Sequence, residues 1–580
     1  MRKCVFLLVV INLLITIAFS TEIIIIHTSN LHGTVFPYNY FSDTYEAKGL
    51  AVVDSYVKEL KKLNEDVLLV DTGNLLYGSP FGDFSQTLNN DPVVEAFNLV
   101  GYDIFIPGSF ELSIEKTELS RVIRSLKATT LAGNLRNLPG VKSFLVRQLK
   151  NGIKVGIIGV AVPYGSYEFD DLISSVRKAI AAAKSQGANF LLIATSGGIT
   201  TDPLSGRRIA LESNLNIGDI LVREFSKDVD GFLFGNQSFV YVSEKSNKFY
   251  SLAGNDGESV NKITISAEKV GNNWKTRSVK VENLPLTNYT PSEDFLRKFE
   301  IYERTFQNWL KEVLFSSSIT VGFNKYMAFL EDSLILEIVN KAIIEYTKSS
   351  IGIWNIFNPN YMGIVQGDIT RKDIYALVGK TTGVKLLRMT GKDVKNIITK
   401  TIQNIQYEDG KIKFDKKLVT YPWLFDIFEN ITYEVIVNER QVGKITYAGK
   451  NLEDNDVVYL SVPSIRTYGK EPILFGKIVK DFEIPVQKIV LSVLEKVLNG
   501  KVLNSYEDGN RITSVKLEYV VNAGDTLKRL SYRLGVSEEK LLSENKFIKD
   551  KNLLRPGWKL IYYKKYLDLI PPLKEFFDVE

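Results

Sequence analysis

The sequence predicts a layered α/β protein, and three observations carry that prediction. Between Glu22 and about residue 240, short apolar runs, "EIIIIH", "EDVLLVDTG", "YDIFIPG", "IKVGIIGVAVP", "NFLLIATSGG" and "VDGFLFGN", alternate with helical stretches. A run apolar at every position reads as a strand buried on both faces, which requires a sheet covered by further layers. Each run ends in a turn rich in Gly, Ser, Asn or Pro, and in open α/β sheets those carboxyl ends are where ligands gather.

In chain order, the first twenty residues read as Met-Arg-Lys, an apolar stretch from Val5 to Ala18, then Phe19 and Ser20, the zones of a secretory leader cleaved near Ser20. An uncleaved anchor is the alternative, although the apolar run is short for spanning. No later stretch is long and apolar enough to span, so no membrane span is expected after cleavage. The strands to about residue 240 are followed by a polar alternating stretch, 241–286, that reads as antiparallel strands and turns. A charged helical segment at Ser292 to Leu314 is the expected connector between domains. A second α/β region follows at about 320–502, with helices at "SLILEIVNKAIIEYTK" and "GKDVKNIITKTI" and strands at "ITYEVIVN" and "VVYLSV". Residues 518–563 read as a last compact unit and 564–580 as a short tail.

Composition narrows the chemistry. With 580 residues, 45% hydrophobic and 24% charged, the chain can bury several cores. The formal charge of +5 comes without a run of five basic residues, so nucleic acid is not the implied partner. The single cysteine, Cys4, falls before the apolar part of the leader, where it is badly placed for lipid attachment and departs with it. Disulfide, zinc-thiolate and cysteine-nucleophile chemistry go together with it, as suits an exported chain stabilised by core size alone. Both histidines, His27 and His32, lie in "TEIIIIHTSNLHGTVFP" at the end of the first strand. No G-x-S-x-G elbow exists, and "GKTTG" at 379–383 has Ile374 where a phosphate loop needs its first glycine, so it reads as an ordinary turn.

The strand-end turns, in order, are "HTSNLHG", "DTGNLLYGSP", "PGSFELS", "ATSGG" and "FGNQSF". Their order and spacing resemble the metallophosphoesterase half of the 5′-nucleotidase and cyclic-nucleotide phosphodiesterase family. The resemblance implies a four-layer α/β/β/α domain over 21–290, a linker helix over 291–319 and a 5′-nucleotidase C-terminal-like α/β domain over 320–502. In that family the turns hold two divalent metals, Mn, Zn or Mg, that bind a phosphate ester and activate a bridging water. By the same correspondence, the ligand positions are occupied here by Asn30, His32, Asn74, Ser109, Ser196, Gln237 and Phe239. Phe110 stands where the family has its phosphate-facing histidine. Only His32 keeps a ligand's chemistry. Two carboxylates and three imidazoles have become neutral or apolar groups, and hard divalent ions want charged oxygen and imidazole donors. No cofactor and no catalytic residue is therefore expected. Asp71, Glu111 and Asp230 remain at positions that, in the family, support the turns. His27 reads as a strand-end residue hydrogen-bonded to backbone, and Ser196 as a replaced ligand rather than a nucleophile.

The second region is similar to the family's C-terminal domain, with Gly367, Ile369, Thr370, Asp373, Tyr375, Thr390 and Gly391 on its scaffold strings. Its substrate strings differ. In "NIFNPNYMG", Tyr361 falls about where the family's phosphate-facing Arg belongs, and Arg466 about where a base-stacking Phe belongs; these are the nucleotide-site positions. Trp354, Phe357 and Tyr361 could stack a ring, although core packing is the commoner role of such residues. Residues 519–562 look like a βααβ LysM module, with Asp525 or Thr526 and then Ser537 as helix caps. LysM modules bind N-acetylglucosamine polymers including peptidoglycan, which places the glycan groove here at Gly524, Asp525, Thr526, Leu527 and Leu554; a packing domain without glycan contact is the alternative.

The expectation is an exported protein of the periplasm or cell surface, held to peptidoglycan by LysM, with a degenerate dimetal site: a non-catalytic binder or scaffold, a pseudoenzyme. The alternative is a divergent phosphoesterase with two divalent metals that acts on nucleotides or related phosphate esters in nucleotide catabolism.

Overall fold

The computed structural model describes residues 21–566 apart from 42–43, 65, 89, 272, 319, 381, 409–410, 470 and 499–510, and apart from the side chains of 494–498. The leader read at 1–20 and the end of the tail lie outside the described residues. Among the described residues, no helix is long and apolar enough to cross a membrane.

The first strand, Thr21–Thr28, shows why its sequence is apolar at every position. It sits inside a six-stranded sheet, parallel to Val67–Asp71 and antiparallel to Ser259–Val270. Successive side chains leave a strand on opposite faces. Ile23 and Ile25 therefore enter an apolar layer with Ile157, Leu192 and Leu233 of a second six-stranded sheet, while Ile24 and Ile26 pack beneath the helix Leu50–Leu63. The helices Leu172–Ser185 and Gly218–Phe225 cover the outer face of the second sheet. The result is the α/β/β/α order read from the sequence, with the strand-end turns gathered at one edge.

The segment expected as a connector is a helix, Glu293–Leu310, capped by Ser292, whose hydroxyl accepts from the Phe295 amide at 3.3 Å. It is not a free linker. Phe295, Phe299, Phe306 and Leu310 are buried in the first domain's core, at roughly 1.5–3 kcal/mol of transfer free energy per large side chain. Its far end belongs to the second domain as well, where Arg371 lies 4.5 Å from the Trp309 ring.

The second domain is built on a five-stranded sheet in the order Ile427–Glu429, Ile351–Trp354, Val457–Pro463, Val384–Thr390 and Lys477–Phe482. Two of its recurring sequence strings are capping boxes. Thr370 and Asp373 start the helix Arg371–Val378, and Thr390 and Asp393 start Gly391–Ile402, each Asp reaching back to the threonine amide. Gly379, with φ 72°, ends the first of these helices, which is the ordinary role expected of "GKTTG". Trp354 is wholly buried and meets Phe357 edge-on at 4.9 Å, the core role weighed above for these aromatics.

The compact unit read at 518–563 is joined to the body through its first strand. Its first strand, Arg511–Val520, runs parallel to the second domain's Thr432–Ile436 from Arg511 to Ser514, and only then pairs with Lys559–Lys565. The module thus shares one continuous five-stranded sheet with the body. Arg511 is buried at this seam and donates to the Ala328 carbonyl at 2.5 Å and to the Glu331 carbonyl. Replacing it with alanine removes the donor from the buried Ala328 carbonyl and the partly buried Glu331 carbonyl, at roughly 1–3 kcal/mol for a buried one and less for the other. We expect Arg511→Ala to lower unfolding stability by about 2–4 kcal/mol in denaturant titrations; an unchanged midpoint would show that the seam carries no stability.

Candidate functional site

The strand-end turns meet in a cleft that begins with left-handed backbone. Asn30, His32 and Asn74 have φ of 51°, 52° and 58°, a region that Asn and His enter more readily than other side chains. Gly73, with φ 98°, lets two turns touch, since a Cβ there would lie 2.6 Å from the Gly108 amide nitrogen. The Glu111 carboxylate then ties those turns together. It is fully buried and accepts from the amides of Gly108, Asn74 and Leu75 at 2.8 Å each and of Leu76 at 3.0 Å. Asp71 accepts from Thr28 at 2.7 Å and the Gly73 amide at 2.9 Å, and burial pushes its carboxyl up to about 8. Asp230 accepts from the Leu191 amide at 2.8 Å.

Within this frame four of the singled-out positions converge. Asn74 Nδ2 donates to Asn30 Oδ1 at 2.9 Å, and Asn74 Oδ1 accepts the Phe110 amide at 3.0 Å and lies 3.4 Å from the Ser109 hydroxyl oxygen. Asn30 in turn donates to the carbonyls of Gln237 and Gly254, both at 3.0 Å. His32 stands beside them, its Nδ1 2.8 Å from Asp256 and its ring 5.4 Å from that of Phe110, which stacks on Tyr77.

The other ligand positions are turned elsewhere. The Ser196 hydroxyl accepts the Val162 amide at 3.1 Å. Gln237 makes a closed pair with the backbone of Ile199, accepting at 3.0 Å and donating at 2.9 Å. Phe239 packs on Tyr468 of the second domain. His27 departs from its expected backbone bonding: its two nitrogens lie 2.8 Å from the Ser251 hydroxyl and 2.9 Å from the Thr72 hydroxyl. The strand's own amides and carbonyls are engaged in the sheet, which leaves hydroxyls as partners.

Three residues at the cleft escaped the sequence reading: Asp256, the partner of His32, and the two that follow. Asn236, with φ 63°, accepts the Ser109 hydroxyl at 2.9 Å; its only signal was an asparagine in a tight turn. Glu483 comes from the second domain and places a carboxyl oxygen 3.3 Å from the Ser109 hydroxyl. Burial raises its carboxyl to about 7 against the attraction of Lys385, whose Nζ is 3.8 Å away. Further bonds hold the domains together around it: the Glu483 amide to the Tyr164 hydroxyl at 3.0 Å, Ser213 to Asp481 at 2.7 Å, Tyr375 to Asp83 at 2.8 Å, and the Leu211 amide to the Thr467 carbonyl at 2.8 Å.

The nucleotide-site positions do not enter the cleft network. Arg466 is buried and clamps Asp426 with two bonds of 2.7 and 2.8 Å, while half-buried Tyr361 packs near Phe323. In the tail, Thr526 rather than Asp525 caps the first helix, accepting the Arg529 amide at 3.3 Å. Asp525 holds the preceding turn through the Asn522 amide at 2.8 Å. Gly524 adopts φ 85°, Leu527 is buried in the module's core and Leu554 packs against that core. Among the described residues, no three His, Cys, Asp or Glu side chains come together as a metal cluster.

The chain is a four-layer α/β/β/α domain with its strand-end turns in one cleft, followed by a second α/β domain. Residues 317–473 match the 5′-nucleotidase C-terminal domain and residues 519–561 the LysM domain. The trifunctional nucleotide phosphoesterase protein YfkN of Bacillus subtilis (strain 168) is 20% identical over 574 residues; the match takes in 83% of this chain but 38% of that protein. A 2′,3′-cyclic-nucleotide 2′-phosphodiesterase/3′-nucleotidase of Yersinia enterocolitica is 17% identical, over 78% of this chain and 81% of its own length. A solved putative 5′-nucleotidase from Staphylococcus aureus, in complex with alpha-ketoglutarate, superposes with a TM-score of 0.62 at 17% identity, over 85% of this chain and all of its own. The Haemophilus influenzae NAD nucleotidase gives 0.56 at 14%, over 86% and 99%. The chain carries a 5′-nucleotidase C-terminal domain and a LysM domain, and its relatives belong to the 5′-nucleotidase and cyclic-nucleotide phosphodiesterase family.

His27 generates a pH prediction. Burial lowers its pKa to about 3, so between that value and about 6.5 the unfolded chain binds a proton that the native chain refuses. Stability therefore falls as pH drops below about 6.5, by at most ~1.4 kcal/mol per unit. Unfolding at pH 7 and 4.5 should show His27→Gln losing about 2–3 kcal/mol less than the parent chain over that interval; equal losses would refute the assignment.

Proposed function

We propose that the chain is an exported cell-envelope protein that binds or scaffolds without catalysis, attached to peptidoglycan through its LysM domain. One observation carries this reading: Asn30, Asn74, Ser109 and Asn236 satisfy one another, and Glu483 of the second domain reaches into their midst. The donor set does not fit two divalent ions. Amide and hydroxyl groups supply no charge to offset two dications, the amide oxygens of Asn30, Asn74 and Asn236 already accept hydrogen bonds, and the loss of even a supporting group around a metal costs ~10–100-fold in affinity. Phe110 itself offers no proton donor or acceptor to the cleft.

A second reading, a divergent phosphoesterase acting on nucleotides with two bound metals, is favoured by the activities named for the Bacillus and Yersinia relatives. Metal analysis separates the two. We expect the purified chain to retain fewer than about 0.2 equivalents of Mn, Zn or Mg and to leave p-nitrophenyl phosphate intact in added manganese. Asn74→Asp should not change this, since a two-metal mechanism requires both ions. Two tightly held ions, or metal-dependent turnover, would favour the phosphoesterase.

The envelope assignment has its own test. Phe547 and Leu553, both about half exposed, lie in the loop after the module's second helix. We expect the chain to sediment with insoluble peptidoglycan, and Phe547→Ala with Leu553→Ala to weaken this about tenfold, from two ring and aliphatic contacts of roughly 0.5–1 kcal/mol each. Sedimentation unaffected by the double change and by added chitin oligomers would remove LysM as the anchor.

A further inference from the structure

The LysM segment, 519–561, contains nine Lys and Arg against five Asp and Glu. That excess of four is most of the formal charge of +5 carried by all 580 residues, so the rest of the chain is close to neutral. The charge is also unevenly spread within the module. Three of its acids, Glu538, Glu539 and Glu544, belong to the second helix, Glu538–Glu544. Six exposed cations lie elsewhere: Lys528 and Arg529 just after the turn at Gly524, and Lys546, Lys549, Lys551 and Arg555 in the loop that follows the second helix.

Backbone bonds bring those two segments side by side. The Val521 amide donates to the Trp558 carbonyl and the Gly557 amide to the Val521 carbonyl, both at 2.8 Å, so the turn at Gly524 leaves the strand beside the end of the loop. Two carboxylates share this edge. Asp525 accepts the Asn522 amide at 2.8 Å and pairs with Arg533 at 3.3 Å, and Asp550 accepts the Asn552 amide at 2.9 Å. With Arg533 included, seven cations stand against two acids, and among the described residues none of the other six lies within ion-pair distance of a carboxylate. Like charges held together repel, and an anion relieves them. Apolar rings are exposed among them: Phe547, about half exposed, meets Trp558 edge-on at 5.3 Å, Arg555 lies 6.0 Å from the same indole, and Leu553 is about half exposed.

We infer that this edge of the module selects an anionic wall glycan, a sugar polymer bearing carboxylate or phosphodiester groups, over a neutral N-acetylglucosamine polymer. The apolar faces of the sugar rings pack on Phe547, Trp558 and Leu553, and the substituents meet the surrounding Lys and Arg. The inference rests on the reading of the module as the wall anchor and adds to it what the anchor distinguishes. Because the cations are exposed, their contribution is screened by salt, whereas ring contacts are not. The two parts of the recognition are therefore separable by experiment.

The test measures sedimentation of the full chain with purified walls and with chitin, at about 50 mM and about 500 mM salt. We expect walls to be bound at least about tenfold tighter than chitin at the lower salt, with most of that advantage lost at the higher. Changing Lys546, Lys549, Lys551 and Arg555 together to Gln should weaken wall binding at least about fourfold while chitin binding and the unfolding midpoint stay the same, since all four side chains are exposed. The same change at four distant exposed lysines, Lys61, Lys62, Lys269 and Lys275, should have no effect. Stripping phosphodiester polymers from the walls with hydrofluoric acid separates the two sources: binding that is lost assigns the phosphodiester, and binding that persists assigns the peptidoglycan carboxylates. Indifference to the loop change, an equal effect of the distant change, or competition by polyglutamate or oligothymidylate as strong as by wall fragments would overturn the proposal. Equal binding of walls and chitin would refute the selectivity and keep the anchor; sedimentation with neither would refute both.

Discussion

The cleft depends on one buried carboxylate. Glu111 accepts four backbone amides from two separate turns, and each is a charge-assisted bond inside a region closed to water. Those bonds compensate for burying the charge and hold Asn74 in its left-handed conformation. With Asn74 so placed, its amide meets Asn30 on one side and Ser109 on the other. The polar cluster follows from that placement, and the close approach at Gly73 and Gly108 leaves no room for a side chain between the two turns.

The second domain completes what the first begins. Its sheet delivers Glu483 at the end of Lys477–Phe482, and the paired backbones around Leu211 and Thr467 hold it there. Packing of Glu293–Leu310 on one domain while it touches the other makes the connection between them a part of the core. The tail module continues this logic, since a strand shared with Thr432–Ile436 orients the module relative to the body. A glycan bound at the module's far end would thus meet a protein of defined orientation rather than one on a loose tether.

Much of this was legible in the sequence where the deciding contacts are local. The cap Ser537 was read outright and Thr526 as one of two candidates, because a cap is set by residues three apart; the capping boxes at Thr370 and Thr390 use the same spacing on strings read only as scaffold. The double-faced burial of "EIIIIH" follows from its composition alone. Arg466 was not legible in the same way. Its guanidinium is buried against Asp426, forty positions earlier, and one-dimensional spacing carries no trace of a pair formed by tertiary packing. Glu483 lies 374 positions from Ser109, and Asp256 lies 224 from His32, so no local pattern could have joined them.

By itself the sequence determined the layered α/β order, the turns at the strand ends and the neutral residues that occupy them, because periodicity and side-chain chemistry are properties of short stretches. Only the tertiary structure decided how those residues are used. It turned Ser196 and Gln237 toward backbone, closed Asn30, Asn74, Ser109 and Asn236 on one another, and brought Glu483 in from another domain. The reason is physical: a buried polar group must find its partner wherever packing places one, and packing joins residues that the chain holds far apart.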